Sequence, residues 1–110
     1  MALNLVLFPN DLDEKMKKRI RKIYNKKSNY EKEDYHVSEY SKGALMRNFI
    51  DLKSIYNIRD MVCIAYKKDI QNAGRAVKWM KCGMSKENFK LVQLENKKQD
   101  FSKLEHFLEG

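Results

Sequence analysis

The sequence is short of the residues that interrupt or specialise a fold. One proline and four glycines serve all 110 residues, so no Pro/Gly-rich linker or low-complexity tract divides the chain. No apolar run approaches the roughly 20 residues of a membrane-crossing helix. The apolar start, Leu3 to Phe8, has no basic segment ahead of it and stops at Pro9-Asn10-Asp11, too short for a secretion signal. Two cysteines, Cys63 and Cys82, lie far apart without metal-ligand spacing, which predicts free thiols and a cytoplasmic protein. His36 has no second His, Cys or acidic partner at a recognisable metal spacing, so no metal site is expected of it, and His106 falls on the polar side of the last predicted helix. There is no Walker loop, GxSxG elbow, Gly-rich dinucleotide fingerprint, CxxC pair or internal repeat. Acid is also scarce: 15 Asp and Glu face 23 Lys and Arg, a net charge of +8. Such an excess favours acidic partners, nucleic acid above all, and no membrane partner is expected.

What is present suits one globular domain, with 43% hydrophobic and 35% charged residues. The stretch from Arg59 to Glu95 organises it. Met61-Val62-Cys63-Ile64-Ala65-Tyr66 is apolar throughout, the mark of a strand covered on both faces. Asp69 is placed to cap a following helix, whose stripe is Ile70, Ala73, Val77, Met80 and Met84, with Gly83 past its end. This spacing predicts a helix running through Gly74. Phe89 to Leu94 reads as a second strand, which makes the segment a βαβ unit.

Around that unit, Leu3 to Phe8 predicts a first strand ended by Pro9. Asn10 or Asp11 then caps a helix with Leu12, Met16, Ile20 and Ile23 inward. Ser28 to Lys42 reads as polar and turn-like, with Tyr35-His36-Val37 as a short edge strand. Ser38 or Ser41 caps a helix reaching about Tyr56, with Leu45, Phe49, Leu52 and Tyr56 as its stripe and Met46 and Ile50 widening it. Asp100 caps a last short helix with Phe101, Leu104 and Leu108 inward. The pattern predicts a single α/β domain, a mainly parallel sheet of three or four strands with helices packed on it. An α+β two-layer sandwich is the alternative.

Three constellations carry possible chemistry. The first helix has the most basic face, with Lys18, Arg21, Lys22 and Lys26 as candidate phosphate contacts. Trp79, one turn after Arg75 and on the flank away from the apolar stripe, is a candidate protein-binding anchor. Finally, if the strands are parallel, their carboxyl ends share one edge. The loops there carry Asn10, Asp11 and Asp13, then Lys67, Lys68 and Asp69, then Glu95, Lys97 and Lys98. Glu95-Asn96-Lys97, an acidic-x-Lys pattern after an apolar strand, resembles the core motif of the restriction-endonuclease-like nucleases. The resemblance implies Asp60 as an earlier metal ligand and Mg²⁺ as cofactor. It departs from that family in placing a helix between the motif strands, which usually form a hairpin. Tyr30, Tyr35 and Tyr40 lie among acids in the sequence, which argues against a platform for stacking single-stranded bases.

The balance favours a small basic, non-enzymatic binding protein engaging nucleic acid or a nucleoprotein complex, without a cofactor. Two alternatives stay open: a Mg²⁺-dependent nuclease using Asp60, Glu95 and Lys97, and a protein-binding regulator or inhibitor acting through the surface around Trp79.

Overall fold

The computed structural model describes residues 2–31, 34–74, 78, 88–95 and 102–109. Within them the order is β1 (Ala2–Pro9), α1 (Glu14–Glu31), β2 (Tyr35–Tyr40), α2 (Leu45–Ile55), β3 (Asn57–Tyr66), α3 (Lys67–Ala73), β4 (Phe89–Leu94) and α4 (Ser102–Glu109). The four strands form one parallel sheet in the order β2-β1-β3-β4. The fold is therefore α/β, not the two-layer α+β alternative.

The apolar runs of β1 and β3 serve two faces in alternation. Leu5, Leu7, Met61, Cys63, Ala65 and Phe89 point to one face and pack with Tyr40, Leu45 and Phe49. Val6, Phe8, Ile64, Tyr66, Val92 and Leu94 point to the other and pack with Leu12, Met16, Ile20, Tyr24 and Leu104. A parallel sheet needs cover on both sides, and each core supplies one cover. Each fully buried Leu or Ile contributes about 1.5–3 kcal/mol by leaving water.

Several local expectations change. Asp13, not Asn10 or Asp11, caps α1: its Oδ1 accepts the backbone N–H of Lys15 at 3.0 Å and of Met16 at 3.3 Å. Leu12 must reach the core, and the chain turns through a Leu12 N–H bond to the Pro9 carbonyl before the helix begins. The inward stripe of α1 ends on buried Tyr24, with Ile23 only half-buried. The helix also continues past Ser28 to Glu31, where a turn was expected. Tyr35-His36-Val37 does begin an edge strand, and it runs on to Tyr40. Ser38 lies in that strand, so α2 starts only at Leu45; Ala44 occupies its cap position without a side-chain bond, and the Asn48 Oδ1 accepts the Ser41 N–H at 2.9 Å. Ile50 is 47% exposed and widens the surface of α2, not its core.

The helix after β3 starts at once, at Lys67, so Asp69 sits inside its first turn and is not its cap. Gly74 does not carry the helix on. Its φ is +47°, a conformation that costs glycine least, and its N–H closes on the Ile70 carbonyl to end α3. Val77, Met80, Cys82, Gly83, Met84 and Asp100 lie outside the described residues.

Cys63 is 1% exposed, and burial pushes its thiol up to about 12. Because the thiolate is the reactive form, a maleimide at neutral pH should leave Cys63 unmodified until denaturant is added. Peptide-resolved mass spectrometry distinguishes it from Cys82. Modification of Cys63 in the native protein, as fast as in denaturant, would contradict the buried strand position.

Candidate functional site

The packing of Met16, Ile20 and Tyr24 of α1 on the sheet, with Leu12 just before the helix, fixes which cations of α1 face outward. Lys17, Arg19 and Arg21 are engaged. Lys17 pairs with Glu39 at 2.6 Å and Glu14 at 3.4 Å, and donates to the Asn10 carbonyl. Arg19 reaches α4, at 3.0 Å from Glu105 and 3.6 Å from Glu109. Arg21, exposed as expected, pairs with Glu39 at 3.1 Å and lies 5.4 Å from the centroid of the Phe8 ring. Glu39 is thus the hub that ties α1 to β2. Its bond to Lys17 holds its carboxyl below the ordinary carboxylate range, and Glu39 raises the Lys17 ammonium in return.

The outer line of α1 differs. Lys18, Lys22 and Lys26 are exposed and have no ion-pair partner among the described residues. Spaced four residues apart, they rise in steps of about 6 Å along the axis. Beside them, between α1 and the edge strand β2, runs a groove of ≈ 510 Å³ lined by Arg21, Lys22, Asn25, Ser28, Tyr35 and Val37 among others. Tyr35 stands in its wall with its ring 5.4 Å from that of Tyr24, beside the basic helix.

The carboxyl edge of the sheet is organised differently from the expectation. β1 lies between β2 and β3, and the helices that follow β1 and β3 cover opposite faces, so the switch point falls between these two strands. Yet three of the acids there hold the fold. Asp13 caps α1, Glu39 binds Lys17 and Arg21, and Asp69 is 5% exposed and accepts the Tyr40 hydroxyl at 2.7 Å. Burial and this bond push the Tyr40 phenol far above its ordinary range. Tyr66, between them, is pushed up to about 12 by burial and by the charges of Asp11 and Asp69. Among the described residues no group of three or more His, Cys, Asp or Glu is arranged to hold a metal.

The nuclease-like set is not brought together. Asp60 pairs in register with Asn4 near the amino ends of the strands, where Arg59 binds it at 3.2 Å. Glu95 follows Leu94, whose partner on β3 is Tyr66. Six residues of β3 separate the two levels, about 20 Å at about 3.3 Å per residue. One metal cannot bridge Asp60 and Glu95. Lys97, Lys98, Arg75 and Trp79 lie outside the described residues. No family model, curated protein or solved structure matches the chain. Sequence reasoning missed Glu39 and the Tyr40–Asp69 bond. Only the i+4 series ending at Tyr24 offered a signal, and it named a core residue.

Two outcomes follow. Tyr40→Phe removes the donor from a buried carboxylate, so it should lower stability by about 1–3 kcal/mol. A shift of the urea midpoint at unchanged slope reads this; an unmoved midpoint would show that Asp69 does not need Tyr40. Glu39 has a depressed pKa in the fold, so its contribution is complete above the ordinary carboxylate value and is lost as pH falls through the depressed one. Glu39→Gln should therefore flatten the loss of thermal stability below about pH 4.3, the ordinary glutamate value. The same acid limb in both proteins would remove Glu39 from that role.

Proposed function

We propose that this is a small basic binding protein that engages nucleic acid, alone or within a nucleoprotein complex, through the outer face of α1. One observation carries the reading: Lys18, Lys22 and Lys26 stand in an exposed row without ion-pair partners among the described residues, while Lys17, Arg19 and Arg21 beside them are neutralised by acids of the fold. Neutralising those flanking cations stabilises the helix on its sheet. Leaving the outer row unneutralised adds nothing to the fold, and a rigid row of cations is what displaces condensed counterions from a polyanion. The excess of +8 adds long-range attraction of the same sign. Phosphate contacts of this kind position a protein without reading sequence.

The test is a salt titration of duplex DNA and RNA binding. Each cation that neutralises a duplex phosphate contributes roughly 0.9 to the log–log slope. Replacing Lys18, Lys22 and Lys26 together by Ala should flatten the slope by up to about 2.7 with the helical circular dichroism unchanged. Arg21→Ala should alter the slope less, since Glu39 already engages that guanidinium. No binding by the wild type at low salt, or a full slope in the triple variant, would overturn the reading.

A further inference from the structure

On the face of the sheet that carries α1 and α4, the strands change character along their length. Towards their carboxyl ends this face is apolar core, with Phe8, Ile64 and Val92. Towards their amino ends the same alternation places Asn4 on β1, Asp60 on β3, and Asn88 and Lys90 at the start of β4. Above this polar end, below the last turns of α1 and beside α4, lies a cavity of ≈ 410 Å³. That volume falls within the roughly 300–1,000 Å³ of small-molecule sites.

We propose that this cavity binds a flat aromatic anion. The tilted rings of Tyr24 and Tyr35 form one apolar wall, with centroids 5.4 Å apart, and Phe107 on α4 also lines the space. These are surfaces on which a flat ring can stack. Three basic residues, Lys27, Lys90 and His106, line the same cavity, and all three are exposed. The Lys27 ammonium lies 5.5 Å from the centroid of the Tyr24 ring, so charge and ring face are already adjacent. Among the described residues Asp60 is the one acid in the lining, and it is bound to Arg59 at 3.2 Å, which leaves the basic groups described there to set the preference for charge. The floor is ordered: Asn88 Nδ2 donates to the Arg59 carbonyl at 3.2 Å, and Asn4 Oδ1 accepts from Arg59 at 3.3 Å. The position of α4 is set by fully buried Leu104 and by its ion pairs to Arg19, and Phe107 stays half-buried against the space. The site is distinct from the outer lysine row of α1 and does not depend on it.

The probe is anilinonaphthalene sulfonate, an aromatic anion with a flat naphthalene ring, whose fluorescence rises on leaving water. It should bind the full chain saturably with one-to-one stoichiometry. Lys27→Glu and Lys90→Glu should each weaken it about tenfold, the loss of one charge-assisted contact. Lys42→Glu, which changes net charge equally but lies outside the cavity, should leave binding within about twofold. Phenylnaphthylamine, similar in shape and uncharged, should bind more weakly. Val62→Phe fills the floor and should abolish binding in a folded protein; if that variant does not fold, the two lysine reversals still decide. Displacement of the dye by AMP identifies a nucleotide ligand, and displacement by naphthoate an aromatic acid. Absence of saturable binding, equal loss in the Lys42 variant, equal binding of the neutral dye, or displacement by neither competitor would overturn the proposal.

Discussion

Two strands, β1 and β3, must be covered on both faces, and the rest of the molecule follows from that requirement. In β1, residues from Leu5 to Phe8 are all fully buried; in β3, residues from Cys63 to Tyr66 nearly so. Parallel neighbours cannot be joined by a tight turn, so each connection must cross the sheet, and a helix is the cheapest way to cross with its backbone bonds made. The helix after β1 covers one face and the helices on either side of β3 cover the other. That is why two cores exist, and why the apolar strands read as unbroken runs.

The same reasoning explains what the sequence made legible. Both central strands declare themselves as unbroken apolar runs, because nearly every residue of those runs is buried, and the α1 stripe from Leu12 to Ile20 declares itself by its repeat of four residues. β2 is harder to read. At the sheet edge only Tyr40 is buried and the other five residues are half-covered, so Tyr35–Tyr40 keeps a polar sequence. The sequence points to Asn10 or Asp11 as the cap, and the need to bury Leu12 shifts that role to Asp13. The bond from Tyr40 to Asp69 spans 29 residues and two strands, and no local pattern encodes it. The pairing of Asp60 with Glu95 failed for a topological reason. Parallel strands place the beginning of β3 and the end of β4 at opposite edges, whereas a hairpin would have brought them closer.

Charge is sorted by position on α1, not by residue type. The cations flanking the buried stripe can reach β2 and α4, and acids from both meet them: Glu39 for Lys17 and Arg21, Glu105 and Glu109 for Arg19. These pairs are partly exposed, so each contributes little alone. Their effect is geometric, since they hold α1 against two elements at once. Lys18, Lys22 and Lys26 pair with none of these acids. Three of the chain's 23 basic residues therefore stand on a surface where no acid among the described residues pairs with them.

Open α/β sheets generally bind ligands outside the carboxyl ends of their strands. Here that edge is crowded by structural bonds: Asp69 lies under Tyr40, Glu39 lies against Lys17, and Asp13 lies in the α1 cap. The helix direction accounts for the rest. α1 runs back against β1, so its apolar turns, Leu12 to Ile20, cover the carboxyl half of the sheet first. Beyond Tyr24 its sequence turns polar, through Asn25, Lys26, Lys27 and Ser28. The amino half of the face is therefore less tightly covered, and the strands answer with Asn4, Asp60, Asn88 and Lys90 in place of core residues. A polar sheet face beneath a helix layer is costly unless its groups are bonded or meet solvent or ligand. Arg59, the extra residue where the β1–β3 register shifts between Leu3 and Asn4, bonds Asn4, Asp60 and, through its carbonyl, Asn88. With those groups satisfied, the cavity above can stay open without destabilising the sheet, and Lys27, Lys90 and His106 are left to face whatever enters it.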